Sequence, residues 1–161
     1  MSGDQIGSII GVAFGCAWGI AGGVSLPSPW RVATIIGSLL ISACLVILIG
    51  RFEGTATGHF DGATNGTAVA GEVVAIVIAA IALNRTRHSS LIPPAVAAIV
   101  GLHFLGLWRA TGNFSFVWLA GALCAVGFLA GILPRSARLS VTGIGSAVAL
   151  WAAAPSTVVR P

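Results

Sequence analysis

Charge is scarce in this sequence. Of 161 residues only 7% are Asp, Glu, Lys or Arg, and lysine is absent altogether. Soluble domains carry about 25% charged residues, so this is not a surface made to face water. The three cysteines, Cys16, Cys44 and Cys124, form no Cys-x-x-Cys pair and have no histidine at metal-ligand spacing. That excludes a zinc site of the usual kind and any disulfide framework, and the cysteines read as small packing residues. There is no Asp-rich diphosphate site, no nucleophile motif and no phosphate-cradling loop with a lysine. The first five residues, MSGDQ, lack the positive charge of a cleavable signal peptide. The first apolar run is therefore expected to stay as a helix.

What the chain has instead is length in apolar runs. It is 57% hydrophobic with mean hydropathy +1.01. Runs of about 18 residues or more cross a ~30 Å hydrocarbon core as helix, and backbone groups in lipid must bond internally. The reading is an all-α, polytopic helical membrane bundle, with residues 1–161 as a single integral membrane domain. Six spans are expected at about 6–26, 31–50, 67–84, 92–109, 114–133 and 138–154. The sixth, LSVTGIGSAVALWAAA, is short and carries Ser and Thr, so five spans plus a surface segment is the alternative. Pro27 and Pro29 mark a turn, Pro93-Pro94 opens the fourth run where missing N–H groups cost little, and Pro134 ends the fifth.

The net charge of +4 comes from eight arginines. They sit singly or in pairs between the runs, as membrane-flanking anchors do, and hydropathy excludes a soluble nucleic-acid binder. A lysine-free, Ala/Gly/Val-rich composition points to a bacterial genome and hence to an inner membrane. One side receives Arg31, Arg85, Arg87, Arg135 and Arg138. The other receives Arg51, Arg109 and Arg160 with Asp4, Glu53 and Asp61. That bias places the first set in the cytoplasm and both termini outside.

Glycine is abundant, with 22 residues. Gly11, Gly15 and Gly19 form overlapping G-x-x-x-G spacings on one face, suited to packing within the chain or to a dimer face. Residues 8–22 also lie over 98–112 without a gap, matching Ile9, Gly11, Phe14, Trp18 and Gly22 to Ile99, Gly101, Phe104, Trp108 and Gly112. Such a match makes two three-helix halves of opposite topology, an arrangement recurrent in transporters.

Two ionisable residues fall at membrane depth. His103 is six positions before Arg109, where the fourth helix should exit. Glu72 is five positions after Thr67, where the third should begin. At ~1.5 Å per residue each lies roughly 8–9 Å below the same surface. The short connection RTRHSS suits antiparallel neighbours, and the pair can meet if the two helices are such neighbours; the sequence alone does not establish that they touch. Ala68, Glu72, Ala75, Ala79 and Ala82 share one small-residue face, which turns Glu72 into the bundle. Such groups are costly in lipid, are usually paired and often mark ion or proton paths. A neutral bond holding two helices together is the plainer alternative. The polar stretch RFEGTATGHFDGATNGT adds Glu53, His59 and Asp61 on the same side. With Arg109 these outline a vestibule, though a solvated loop accounts for them equally. Two loop ligands do not make a metal site, and neither metal nor cofactor is expected. Trp108 and Arg109 suit a helix end, as an aromatic belt residue and a cation near the helix C-terminus.

The stretch Gly101-Leu102-His103-Phe104-Leu105 resembles a GLHFLPLA segment found in small, uncharacterised, multi-pass bacterial membrane proteins. Gly106 stands where that segment has proline, so a helix kink at this point is not carried over. The resemblance spans about one helix and implies a membrane bundle without assigning an activity.

Three functions fit these residues. The first is a small transport or permeation protein, proton-linked through Glu72 and His103, acting on an unidentified small molecule or ion. A homodimer suits it, because one chain of this size makes a small pathway. The second is a membrane enzyme acting on a lipid or isoprenoid, with Glu72 or Asp61 as acid and His59 or His103 as base. The third is a structural or accessory subunit whose polar residues only lock helices together.

Overall fold

Each apolar run becomes a helix, because only internal hydrogen bonding satisfies a backbone in lipid. A computed structural model describes residues 3–51 and 62–156. In order these are α1 (Gly3–Val24), α2 (Trp30–Gly50), α3 (Gly62–Arg85), a 3-10 turn (Ser89–Leu91), α4 (Ile92–Thr111), α5 (Ser115–Ile132) and α6 (Arg135–Ser156). No strand occurs among the described residues. Helices α2 to α6 are each long and apolar enough to cross a membrane, and the described apolar part of α1 runs Ser8–Val24. The chain has the build of a multi-pass membrane protein. The sixth segment, Arg135–Pro155, is by length and composition one of the five helices able to cross, despite its Ser and Thr.

The ends follow local chemistry. Pro93 and Pro94 occupy the first turn of α4, where the missing N–H groups have no helical partner to lose. Gly112 closes α4 in the left-handed conformation, φ 69°, donating its N–H to the Trp108 carbonyl at 2.7 Å. Arg87 takes the equivalent position after α3 at φ 60°. There the His88 N–H reaches the Leu83 carbonyl at 2.8 Å and the Arg87 N–H reaches Asn84 at 3.1 Å. Those two bonds define a Schellman cap built on a non-glycine residue.

Helix α6 is the centre of the bundle and packs on α1, α5, α4 and α2, whereas α3 packs extensively on α4 alone among the long helices. The closest crossing joins α1 to α6 at Gly22 and Gly143. A Cβ on Gly143 would lie 2.5 Å from the Gly22 backbone and 2.6 Å from the Trp18 carbonyl oxygen. Of the G-x-x-x-G series, Gly15 lies against Trp151, and Gly19 lies against Ser38 and Trp151. Gly11 meets nothing within 4 Å. Two of the three therefore serve packing within the chain. Helices α4 and α5 come together in the same manner: a Cβ on Gly127 would meet the Pro94 carbonyl oxygen at 2.6 Å, and one on Gly101 the Cys124 thiol at 2.9 Å. Cys124 donates its S–H to the Ala98 carbonyl at 3.6 Å, the buried packing role expected of it.

The inverted three-helix pairing is met only in part. Contacts of α1 with α2 and α6 are mirrored by those of α4 with α5 and α3. The packing of α5 on α6, however, has no comparable partner between α2 and α3. A tighter internal match joins the first and last hairpins. Cys16-Ala17-x-Gly19, Gly23, Leu26-Pro27-x-x-x-Arg31 and Thr34-x-Ile36-Gly37-Ser38 recur as Cys124-Ala125-x-Gly127, Gly131, Leu133-Pro134-x-x-x-Arg138 and Thr142-x-Ile144-Gly145-Ser146. One extra residue, Ser25, precedes the first Leu-Pro, and one extra residue between Arg138 and Thr142 restores the register. The repeated turn has a repeated bond: the Nε of Arg31 donates to the Leu26 carbonyl at 3.2 Å, and that of Arg138 to Leu133 at 3.0 Å. Both hairpins run in the same direction, so this repeat is parallel rather than inverted.

Candidate functional site

The α3–α4 contact carries the site. Helix α3 turns Ala68, Glu72, Ala75 and Ala79 toward α4 as half-buried residues. In the last turn the face shifts: Ala82 is exposed and Leu83 takes its place. A straight helix drifts off an i, i+3, i+4 row over several turns, and here the drift moves the contact by one position. The small face lets α4 approach closely. A Cβ on Gly106 would stand 3.3 Å from that of Ala68, so glycine at this position sets the helix spacing one turn above Glu72.

At that spacing the two ionisable side chains meet. His103 Nδ1 lies 3.3 Å from Glu72 Oε2, with the side chains 10% and 19% exposed. The separation allows a bond, but the imidazole is not turned to aim at the carboxylate, and Nδ1 is a buried nitrogen without an aligned hydrogen bond. Phe104 meets the His103 ring edge-on at 5.9 Å and stacks on Phe116 at 5.9 Å. An aromatic wall therefore stands between the pair and the core cluster of Leu119, Leu123 and Leu150, against which Phe104 packs. The wall covers the pair on the side of the bundle core.

Arg109 stands in the last turn of α4, exposed and without a hydrogen bond or ion pair among the described residues. It suits the anchoring role expected of a helix-end cation, six residues beyond His103. Glu53, His59 and Asp61 lie outside the described residues, so the vestibule has no geometry to compare with. Among the described residues no three His, Cys, Asp or Glu side chains come together as a metal site.

Other polar groups went unremarked in the sequence. Thr142 and Ser146, one turn apart on α6, are wholly buried, and their hydroxyls have no partner among the described residues. Trp151 donates its indole N–H to Ser42 at 3.1 Å, tying α6 to α2. Arg138 adds a bond from Nη1 to Ser90 at 2.7 Å. The Leu-Pro-x-x-x-Arg repeat was the signal for Arg138. Thr142 and Ser146 had none, because a serine in an apolar run reads the same whether it faces lipid or core.

No protein family, no curated protein and no solved structure matches this chain.

Proposed function

We propose that the protein is a small transport or permeation protein in which Glu72 and His103 together carry a proton. The observation supporting this reading is the 3.3 Å approach of two ionisable side chains within the membrane-spanning helices. Intramembrane carboxylates and imidazoles are expensive, and proton relays are among the uses that retain them. A proton on the pair resides on Nδ1 or on Oε2. Because the imidazole is not locked in an aligned bond, a side-chain rotation suffices to present that proton to the carboxylate or turn it away. In this reading Arg31, Arg85, Arg87, Arg135 and Arg138 face the cytoplasm of a bacterial inner membrane, and both termini lie outside. Kinship with the proteins sharing the GLHFLPLA-like stretch belongs to the same proposal.

The test is proton flux into proteoliposomes under an imposed pH gradient. Wild-type protein should conduct above protein-free liposomes. Folded Glu72→Gln and His103→Ala should each lose at least about a hundredfold, the low end of what a positioned proton-transfer group contributes. Flux that survives both substitutions sinks the proposal, as does wild-type flux at the liposome background. A drop in thermal stability without any flux would instead identify the pair as a tie between α3 and α4.

A further inference from the structure

A second site lies on the opposite flank, outside everything assigned to Glu72 and His103. Helices α1 and α2 leave between them an open groove of about 640 Å³, whose walls include Ala13, Cys16, Ala17, Ile20, Ala43 and Ile47. Small residues make it a groove. The outward surface of α2 elsewhere is bulky, with Ile36, Leu39, Leu40 and Ile41 all exposed. The one hydroxyl in the lining, Ser42, already accepts the Trp151 indole N–H, so the walls ask for an apolar occupant.

Its length and its mouth say which. From Ile9 to Ile20 the α1 wall runs eleven residues, roughly 16 Å at ~1.5 Å per residue. Half of a ~30 Å hydrocarbon core is about 15 Å, so the groove is one leaflet deep. It follows the middle of α1 and the C-terminal half of α2, with its Ile47 end toward the end of α2. There Arg51 caps the helix four residues past Ile47, one turn or roughly 6 Å further on. Its side chain is exposed and makes no bond among the described residues. An exposed guanidinium, unpaired among the described residues, above a leaflet-deep apolar groove matches a phosphate above an acyl chain. We infer that the α1–α2 groove binds a phospholipid, with one acyl chain along Ala13, Ala17 and Ala43 and its phosphate at Arg51.

The experiment is non-denaturing mass spectrometry of the full chain in detergent, titrated with dioleoyl phosphatidylglycerol. Wild type should hold one lipid per chain through washing. Ala17→Phe, which fills the groove, and Arg51→Gln, which removes the cation, should each weaken retention at least about tenfold. Ala17 is exposed, so the larger ring does not enter the core; the smaller change Ala13→Leu should act in the same direction. Phe128→Leu, on the exposed face of α5, should leave retention unchanged. Retention by Ala17→Phe equal to wild type overturns the inference. So does equal wild-type binding of dioleoylglycerol, which lacks the phosphate. A stable two-chain species that cross-links through Cys16 also overturns it, since a second copy would then fill the groove.

Discussion

Helices α6 and α3 use polarity in opposite ways. The least apolar of the candidate spans is α6, and it is also the one with the largest buried share. Helix α3 is more apolar, has no buried residue in its span window, and holds on to a single long neighbour. In water the more apolar helix would be the inner one. In lipid the driving force between helices is close packing of small and polar residues, and large apolar side chains are satisfied by the bilayer. Hence Gly143, Thr142 and Ser146 of α6 are inside, while Val73, Val74, Val77, Ile78 and Ile81 of α3 face outward. The one carboxylate in the spans sits on this loosely held helix. For the proton-carrying role proposed for Glu72, a position where one interface can yield suits better than one where four meet.

This contrast can be broken by substitution, and the largest effect should come from glycine. Gly143→Ala on α6 drives a methyl into the backbone of α1. Neither backbone can step aside, so the cost should reach or exceed the ~3 kcal/mol upper end of ordinary overpacking. The expected result is a large fall in unfolding midpoint, or aggregation, on heating in detergent. Gly71→Ala on α3 meets nothing within 4 Å and should stabilise by about 0.5–1 kcal/mol through reduced backbone freedom. Equal losses at both sites would erase the distinction between a central and a peripheral helix.

Hydroxyl substitutions sharpen it further. Ser42→Ala removes the acceptor of the Trp151 N–H and should cost about 1 kcal/mol. Thr142→Val and Ser146→Ala remove buried hydroxyls that have no partner among the described residues, so each should be neutral or stabilising by up to about 1 kcal/mol. Thermal unfolding of the three variants side by side decides the matter. A loss at Ser146 as large as that at Ser42 would mean its hydroxyl has found a partner.

The smallest change in stability is expected at Gly106→Ala. Its Cβ would stand 3.3 Å from that of Ala68, a contact relieved if α3 yields by a few tenths of an ångström. Because α3 is held on one side it can yield, and the cost should stay within about 0.5 kcal/mol. The same movement separates Glu72 from His103. Proton flux in liposomes should fall severalfold while the unfolding midpoint barely moves, and unchanged flux would show that the pair tolerates a wider gap.

Much of this was legible in the residues. Helix positions follow from run length and helix ends from Pro93, Pro94 and Gly112, since both are local effects. That Glu72 and His103 could meet was legible because depth is a matter of rise per residue and a short turn suits neighbours. Lateral arrangement was not. Matching Trp18 to Trp108 suggested inverted halves, yet Trp18 packs against the core cluster and Trp108 is exposed. The stronger repeat, from Cys16 to Ser38 and from Cys124 to Ser146, rests on small residues and a turn, which attract less notice than tryptophan. Nor does an apolar run disclose which of its sides meets lipid, and that left Thr142, Ser146 and the shift from Ala82 to Leu83 unread.

The arginine bond in the Leu-Pro turns bears on how the chain is made. Arg31 reaches a carbonyl only five residues behind it, so the first turn is closed as soon as residue 31 has left the ribosome. The turn itself needs no residue beyond Arg31, whereas the faces of α1 and α2 are completed only when Trp151 of α6 packs on Gly15 and bonds Ser42. The equivalent turn before α6 is fastened a second time, from Arg138 to Ser90, a residue already in place when Arg138 arrives. The earlier Leu-Pro turn is thus fastened from within its own residues, and the later one also latches onto a residue that came before it.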